Sequence, residues 1–243
     1  MRLLLLPLFL LITTAVFSQA QPSGTASQTQ TNMAFLRPGG PTLSDLANYG
    51  SKNNVDGTPY LFDDWEGGRV RFEGQPNFSE QLDVLLDLEV HQLNVKLSTG
   101  FIGEFPMERL DAVEVHTSNG DTVNYEIHNL QELFGAGDYG RRFFRVLHRG
   151  EGYLLLHQPN KYLRREADIE NLGMVRRPDK YLERNRYWLY DGVRMIEVKR
   201  NQRQLMRQLP AKASTMKRLI RAHDLDVSED EGLARLFELM EAG

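Results

Sequence analysis

Between Tyr60 and Val198 apolar residues recur at every second position, in short runs broken by glycine, asparagine and aspartate; after Arg200 they recur at every third or fourth. The first pattern places one face of a strand in a core, and the second does the same for a helix. Val70 and Phe72 alternate with Arg69 and Arg71 between Gly67-Gly68 and Gly74, which predicts a half-buried strand between two turns. Leu82, Val84, Leu86 and Leu88 keep one phase and Leu93, Val95 and Leu97 the opposite one, so the chain must reverse between Glu89 and Gln92.

Two turns allow a register to be written. Around Asn119-Gly120 a three-residue loop with Gly120 in the left-handed region pairs Val115 with Tyr125, sets His116 opposite Asn124 and sets Glu114 opposite Glu126. At Asp191-Gly192 a two-residue turn sets Tyr190 opposite Val193 and Trp188 opposite Met195. Phe143 to Leu147 and Tyr153 to His157 form a further strand pair. Leu43 to Lys52 predicts a brief helical turn capped by Thr42 or Ser44.

Beyond Arg200, Leu205, Met206 and Leu209 lead to Pro210, and Ala213, Met216, Leu219 and Ile220 mark an apolar stripe. Ser228 and Glu231 read as a capping box ahead of Leu233, Leu236, Phe237 and Met240. The expected fold is therefore mainly β, with antiparallel hairpins forming a curled sheet or partial barrel, closed by two or three short C-terminal helices.

The N-terminus changes the compartment. Arg2, the apolar run Leu3 to Val16 and the Ser18-Gln19-Ala20 segment read as a signal peptide over residues 1–20, cut after Ala20. The run falls short of the roughly 20 residues a membrane-spanning helix needs. Residues 21–42, rich in Gln, Ser, Thr, Gly and Pro, read as a disordered leader. A β-rich domain over 43–200 and a helical segment over 201–243, packed on or beside it, complete the division. The expected location is extracytoplasmic, periplasmic or secreted.

The chain has no cysteine, which removes disulfides, thiolate metal sites and a cysteine nucleophile. Net charge is −4, unevenly spread. Asp56 to Glu132 holds 16 acidic and 4 basic residues, Arg141 to Arg221 holds 21 basic and 8 acidic, and the chain after Arg221 holds 1 basic and 7 acidic. Such asymmetry marks either a surface for anionic partners or pairing of the two segments within the fold.

Gly135, Gly137 and Gly140 spell G-x-G-x-x-G, but a strand-like run follows where a dinucleotide site needs a helix, so they read as a loop. No cofactor or metal is expected. None of the six histidines has close metal-ligand spacing, although His116, a carboxylate and His128 share one face of the predicted hairpin. Asp63, Asp64 and Glu66 are the densest acidic group, suited to Ca²⁺ or to acid-base work on sugars. The candidate binding residues are the paired arginines Arg141, Arg142, Arg164, Arg165, Arg176 and Arg177, interleaved with Tyr153, Tyr162, Tyr181 and Tyr187. Outside the cytoplasm their partners would be anionic glycans, lipid headgroups or an acidic protein face, and not nucleic acid.

Gly57-Thr58-Pro59-Tyr60-Leu61, followed by Trp65, Gly67, Val70, Gly74, Phe78, Leu86-Asp87-Leu88 and Leu93-Asn94-Val95, resembles the opening of a group of exported Bacteroidetes-type proteins. The resemblance runs over roughly residues 57–240 and implies a β-rich body with a C-terminal helical segment, outside the cytoplasm. That family has no established activity, and the resemblance carries over no catalytic residue. The leading expectation is a non-enzymatic envelope or secreted binding module with a basic face; the alternatives are an envelope glycan hydrolase drawing on Asp63, Asp64 and Glu66, and a structural component of an envelope assembly.

N-terminal sequencing of the protein recovered from the cell envelope or medium should begin at or within a few residues of Gln21; recovery of an intact Met1 there contradicts the signal-peptide reading.

Overall fold

A computed structural model of the chain describes residues 36–47, 49, 55–165 and 178–242. The expected signal peptide, most of the expected leader and Arg176 and Arg177 lie outside them.

One antiparallel sheet of eleven strands forms the body. Its first part is a meander of β3 (Glu66–Phe72), β4 (Leu82–Asp87), β5 (Gln92–Lys96) and β6 (Ile102–Phe105), edged by β1 (Arg37–Pro38). From β6 the chain passes through a 3-10 turn and returns on the other side of β3 as β7 (Leu110–His116), followed in order by β8 (Thr122–His128), β9 (Arg142–Arg149) and β10 (Leu154–Gln158). β13 (Arg186–Tyr190) and β14 (Met195–Val198) complete it. A small second sheet joins β11 (Lys161–Arg164) and β12 (Asp179–Glu183) antiparallel, and β12 and β2 (Val55–Asp56) parallel. The large sheet ends in β1 and β14 and does not close into a barrel.

The sheet is curled. Side chains from β3 through β9, among them Val70, Phe72, Val84, Leu93, Phe105, Val113, Ile127 and Phe143, meet in a first core. Phe72 and Phe105, three strands apart, lie edge to face at 5.2 Å. Curling requires close strand approach at Gly68, where a Cβ would fall 2.6 Å from both the Glu114 carbonyl and a Val84 methyl. Gly67-Gly68 is therefore not the expected turn. Both residues sit inside β3, paired with β4 on one side and β7 on the other.

The β7–β8 hairpin has the expected three-residue loop with Gly120 at φ 88°, but its register is displaced by two residues. Val115 opposes Val123 and Val113 opposes Tyr125, while Glu114 faces Asn124 and His116 faces Thr122. A two-residue displacement preserves parity, so Val115 and Tyr125 are buried as expected without being opposed. The β13–β14 turn is likewise moved by two. Asp191 and Arg194 close a turn at Gly192-Val193, so that Tyr190 opposes Met195 and Trp188 opposes Glu197. The Asp191 carboxylate selects this turn by accepting the Val193 and Arg194 amides at 3.2 and 3.0 Å.

β10, β13 and β14 are apolar on both faces. Leu156, Trp188 and Met195 pack with Leu130 and Phe134 of α2 (Leu130–Phe134). The opposite side chains, Leu155, Tyr187, Leu189 and Val198, form a second core with the C-terminal helices. The helical turn near the start of the described chain is α1 (Leu43–Ala47), capped by Thr42, whose hydroxyl accepts the Asp45 amide at 3.2 Å. Leu36 to Thr42, the end of the stretch read as a leader, belong to the fold, with Arg37 and Pro38 opposite Glu104 and Gly103 of β6.

His91 ties the two halves of the sheet together. It is buried at the β4–β5 turn with φ 51°, its Nε2 lies 3.1 Å from Asn160 Oδ1, and its ring lies 5.9 Å from that of Phe143. Burial, reinforced by the Arg142 charge, pushes its pKa down to about 4. The folded protein thus binds a proton at this site more weakly than the unfolded chain, whose histidines titrate near 6.5. This contribution to stability is complete above pH 6.5 and is lost as pH falls toward 4, by about 3 kcal/mol. In urea unfolding followed from pH 7 to 4, His91→Asn, which tolerates the left-handed backbone, should lose correspondingly less stability than the parent chain; parallel losses would show that His91 titrates normally.

Candidate basic interface

From Asn201 to His223 the sequence holds six lysines and arginines and no acidic residue. Asn201 opens the segment by accepting the Arg203 and Gln204 amides at 3.1 and 3.2 Å, which caps α3 (Gln202–Gln208). Pro210 begins a 3-10 turn that leads into α4 (Ala213–Ala222). Leu205, Leu209, Met216 and Ile220 are buried in the second core against Leu233, Leu236 and Phe237 of α5 (Asp230–Ala242). The helical period then fixes what remains outside. Arg203 and Arg207 on α3, Lys212 in the turn, and Lys217, Arg218 and Arg221 on α4 are all exposed. None of these six side chains makes an ion pair or hydrogen bond among the described residues.

α5 is fastened at both ends. Asp230 accepts from Tyr187 Oη at 2.8 Å and Arg200 at 3.1 Å, and lies 3.4 Å from Arg145. Glu241 accepts the Gly152 and Tyr153 amides at 2.8 Å each and stands 2.9 Å from His148 Nε2. The expected Ser228–Glu231 box is replaced by a tighter local bond, in which Ser228 Oγ donates to the Asp226 carboxylate at 2.6 Å.

Two of the arginines expected to bind are engaged within the fold. Arg141 donates to the Leu110 carbonyl at 2.8 Å and reaches Glu73 at 3.5 Å and Asp111 at 3.6 Å. Arg142 donates to the Arg141 carbonyl. Arg164 ends β11 of the small sheet and Arg165 follows it, whereas Arg142 begins β9 of the large sheet. Other cations of the basic segment are also matched, Arg149 with Glu126 at 2.6 Å, Lys180 with Asp56 at 2.9 Å and Arg186 with Asp138 at 2.6 Å.

On the outer face of β7 and β8 the expected histidine and carboxylate group forms two separate triads. Glu114 bridges Arg69 and His116, and Glu126 bridges His128 and Arg149. Burial pushes the Glu114 carboxyl up, but the bonds from His116 and Arg69 outweigh it and hold it below the usual range. The His128 bond does the same for Glu126, with help from Arg149 and against burial. Both carboxylates are held as ions, suited to salt bridging and not to proton donation at neutral pH. A shallow groove of about 470 Å³ beside them is lined by Arg71, Arg141 and Arg149 together with Glu73, Asp111 and Glu132. Asp63 and Asp64 are exposed, Asp64 accepting the Trp65 amide at 2.7 Å, and Glu66 is the first residue of β3. Among the described residues no three His, Asp or Glu side chains are grouped to hold a metal, and no helix is long and apolar enough to cross a membrane.

Arg141→Ser should lower unfolding stability by about 2 kcal/mol, because it leaves a backbone carbonyl without its donor. It should leave the elution salt of the protein from a heparin column unchanged, and a shift in elution with no loss of stability would make Arg141 a ligand contact. No family model, curated protein or solved structure matches this chain.

Proposed function

We propose that this chain is an exported, non-enzymatic binding module that engages an anionic partner through the exposed face of α3 and α4. The observation that carries the reading is the set of six solvent-facing cations with no carboxylate partner among the described residues. A cation already paired must give up its carboxylate before it can bind, whereas an unpaired one gives up only water. The second core supports the reading in a further way. It fixes the backbone of both helices, so the charges are presented on a scaffold that is already ordered before binding. Export is supported by the Arg2 to Ala20 pattern and by the resemblance to exported proteins. Lipid headgroups, anionic glycans and acidic protein faces share the chemistry such a face recognises.

Retention on a heparin column should fall steeply as salt rises, since exposed charges are screened within about 8 Å at physiological ionic strength. Replacing Arg203, Arg207, Lys217 and Arg218 by Ser should bring elution to markedly lower salt while moving unfolding stability by less than about 0.5 kcal/mol. Elution unchanged by those four substitutions would place any anion binding elsewhere on the molecule.

A further inference from the structure

On the face of β4, β5 and β6 turned away from the first core, Leu85 packs with Leu46 of α1 and with Tyr60. Beside this small cluster lies a cleft of about 320 Å³. Three carboxylates line it, Asp45, Asp87 and Glu104, with the rings of Tyr49 and Tyr60 and the amides of Gln92 and Asn94. Strand pairing assembles it, since Asp87 opposes Gln92 and Asn94 opposes Glu104. Two glycines let the chain after β1 close one side. A Cβ on Gly39 would fall 2.6 Å from Glu104 Oε1, and one on Gly40, at φ 91°, would fall 2.8 Å from Asn94 Oδ1. None of the described residues that line the cleft is basic. Arg37, opposite Glu104 across the β1–β6 pair, is exposed and makes no ion pair among the described residues, and Lys161 is spent on the Tyr60 carbonyl.

The side-chain atoms still open in this cleft are acceptors. Gln92 Nε2 donates to Glu104 and Asn94 Nδ2 donates to the Leu85 carbonyl at 3.4 Å, which leaves the two amide oxygens. Asp87 takes the Glu89 and Val90 amides on Oδ1 at 2.9 and 3.1 Å, and its Oδ2 accepts nothing among the described residues. Asp45 also accepts from Thr42 and adds its charge. Tyr60 supplies a separate observation. It is 7% exposed, yet its hydroxyl makes no hydrogen bond among the described residues. Burial, and then the neighbouring charges of Asp87, Asp45 and Glu104, push its pKa up. A phenol so enclosed and left without a partner is costly unless something enters the cleft to meet it.

We propose that this cleft binds a small molecule that carries a primary ammonium and no acidic group. An ammonium has three donors and no acceptor, the complement of carboxylate and amide oxygens whose own N–H neighbours are already spent. The Tyr60 hydroxyl, which turns to either role, accepts from it. A sugar or an alcohol asks for donors in return, and the cleft has few left to give. Hydrogen bonds from a cation to carboxylates are also the stronger ones. The Tyr49 and Tyr60 rings, edge to face at 6.0 Å, offer the ligand's alkyl body an apolar wall and its charge an aromatic face. A ligand with a carboxylate of its own, such as an amino acid, meets three like charges. The three carboxylates are not grouped to hold a metal ion. The proposal is independent of the basic face, since no described residue of α3 or α4 lines the cleft.

The test is calorimetric titration of the full-length chain at neutral pH with putrescine, with the diol of the same carbon chain, with γ-aminobutyrate and with calcium chloride. Putrescine should bind and the diol should not, and γ-aminobutyrate should bind about tenfold more weakly than putrescine. Glu104→Gln should weaken putrescine binding about tenfold and Tyr60→Phe about fivefold. Tyr60→Phe keeps the ring and removes a hydroxyl that the described fold does not use, so it should leave the urea midpoint unchanged. Equal binding of putrescine and the diol, a preference for calcium over putrescine, or putrescine affinity indifferent to both substitutions overturns the proposal. So does the absence of putrescine binding at millimolar concentration. The comparison among ligands is made on the parent chain and holds even where a variant fails to fold.

Discussion

Three strands of this sheet, β10, β13 and β14, are apolar on both faces, and much of the rest of the molecule is arranged to cover them. α2 and the loop after it close one face, where Leu156, Trp188 and Met195 lie. The C-terminal helices close the other over Leu155, Leu189 and Val198. A helix recruited to cover a sheet must turn its apolar stripe inward, so its remaining residues are necessarily presented to solvent. The orientation of the α3 and α4 cations therefore follows from a packing requirement. Asp230 and Glu241 then pin α5, and α5 in turn holds α4 in place through Leu233, Leu236 and Phe237.

Much of the fold was legible because a period of two or of 3.6 reports directly on which face is buried. The reversal between Leu88 and Leu93, the strand at Phe143, the three-residue loop at Gly120 and the helical tail all follow from it. Registers are harder. Sliding a strand by two residues keeps every side chain on its face, so parity cannot distinguish Val115 opposite Tyr125 from Val113 opposite Tyr125. At the second hairpin the deciding contact was a carboxylate, Asp191, capturing two amides beyond it. Gly67-Gly68 resembled a turn only because glycine also serves where two backbones crowd a third strand, a condition that involves β4 and β7 and cannot be seen locally.

The charged face was partly legible. The excess of cations between Arg141 and Arg221 is real, but a count along the chain does not say which of them the fold has consumed. Arg141 and Arg149 are brought against Glu73, Asp111 and Glu126 by strand pairing, which joins positions far apart in sequence. The signal that marks the unpaired ones was present all along. It is the run from Asn201 to His223 without a single carboxylate, on elements whose opposite stripe is apolar.

The edge of the large sheet at β14 is closed by a single side chain. Gln208, near the end of α3, donates through Nε2 to the Glu197 carbonyl at 2.8 Å and accepts the Lys199 amide on Oε1 at 3.2 Å, presenting to the edge the donor and acceptor that another strand's peptide group would present. The helical tail is thus joined to the β body by imitation of a strand as well as by apolar burial. A chain ending at Arg200 would carry both a bare apolar face and an open sheet edge, the two features that recruit neighbouring molecules. The boundary visible in the sequence at that point separates two kinds of secondary structure that share one core.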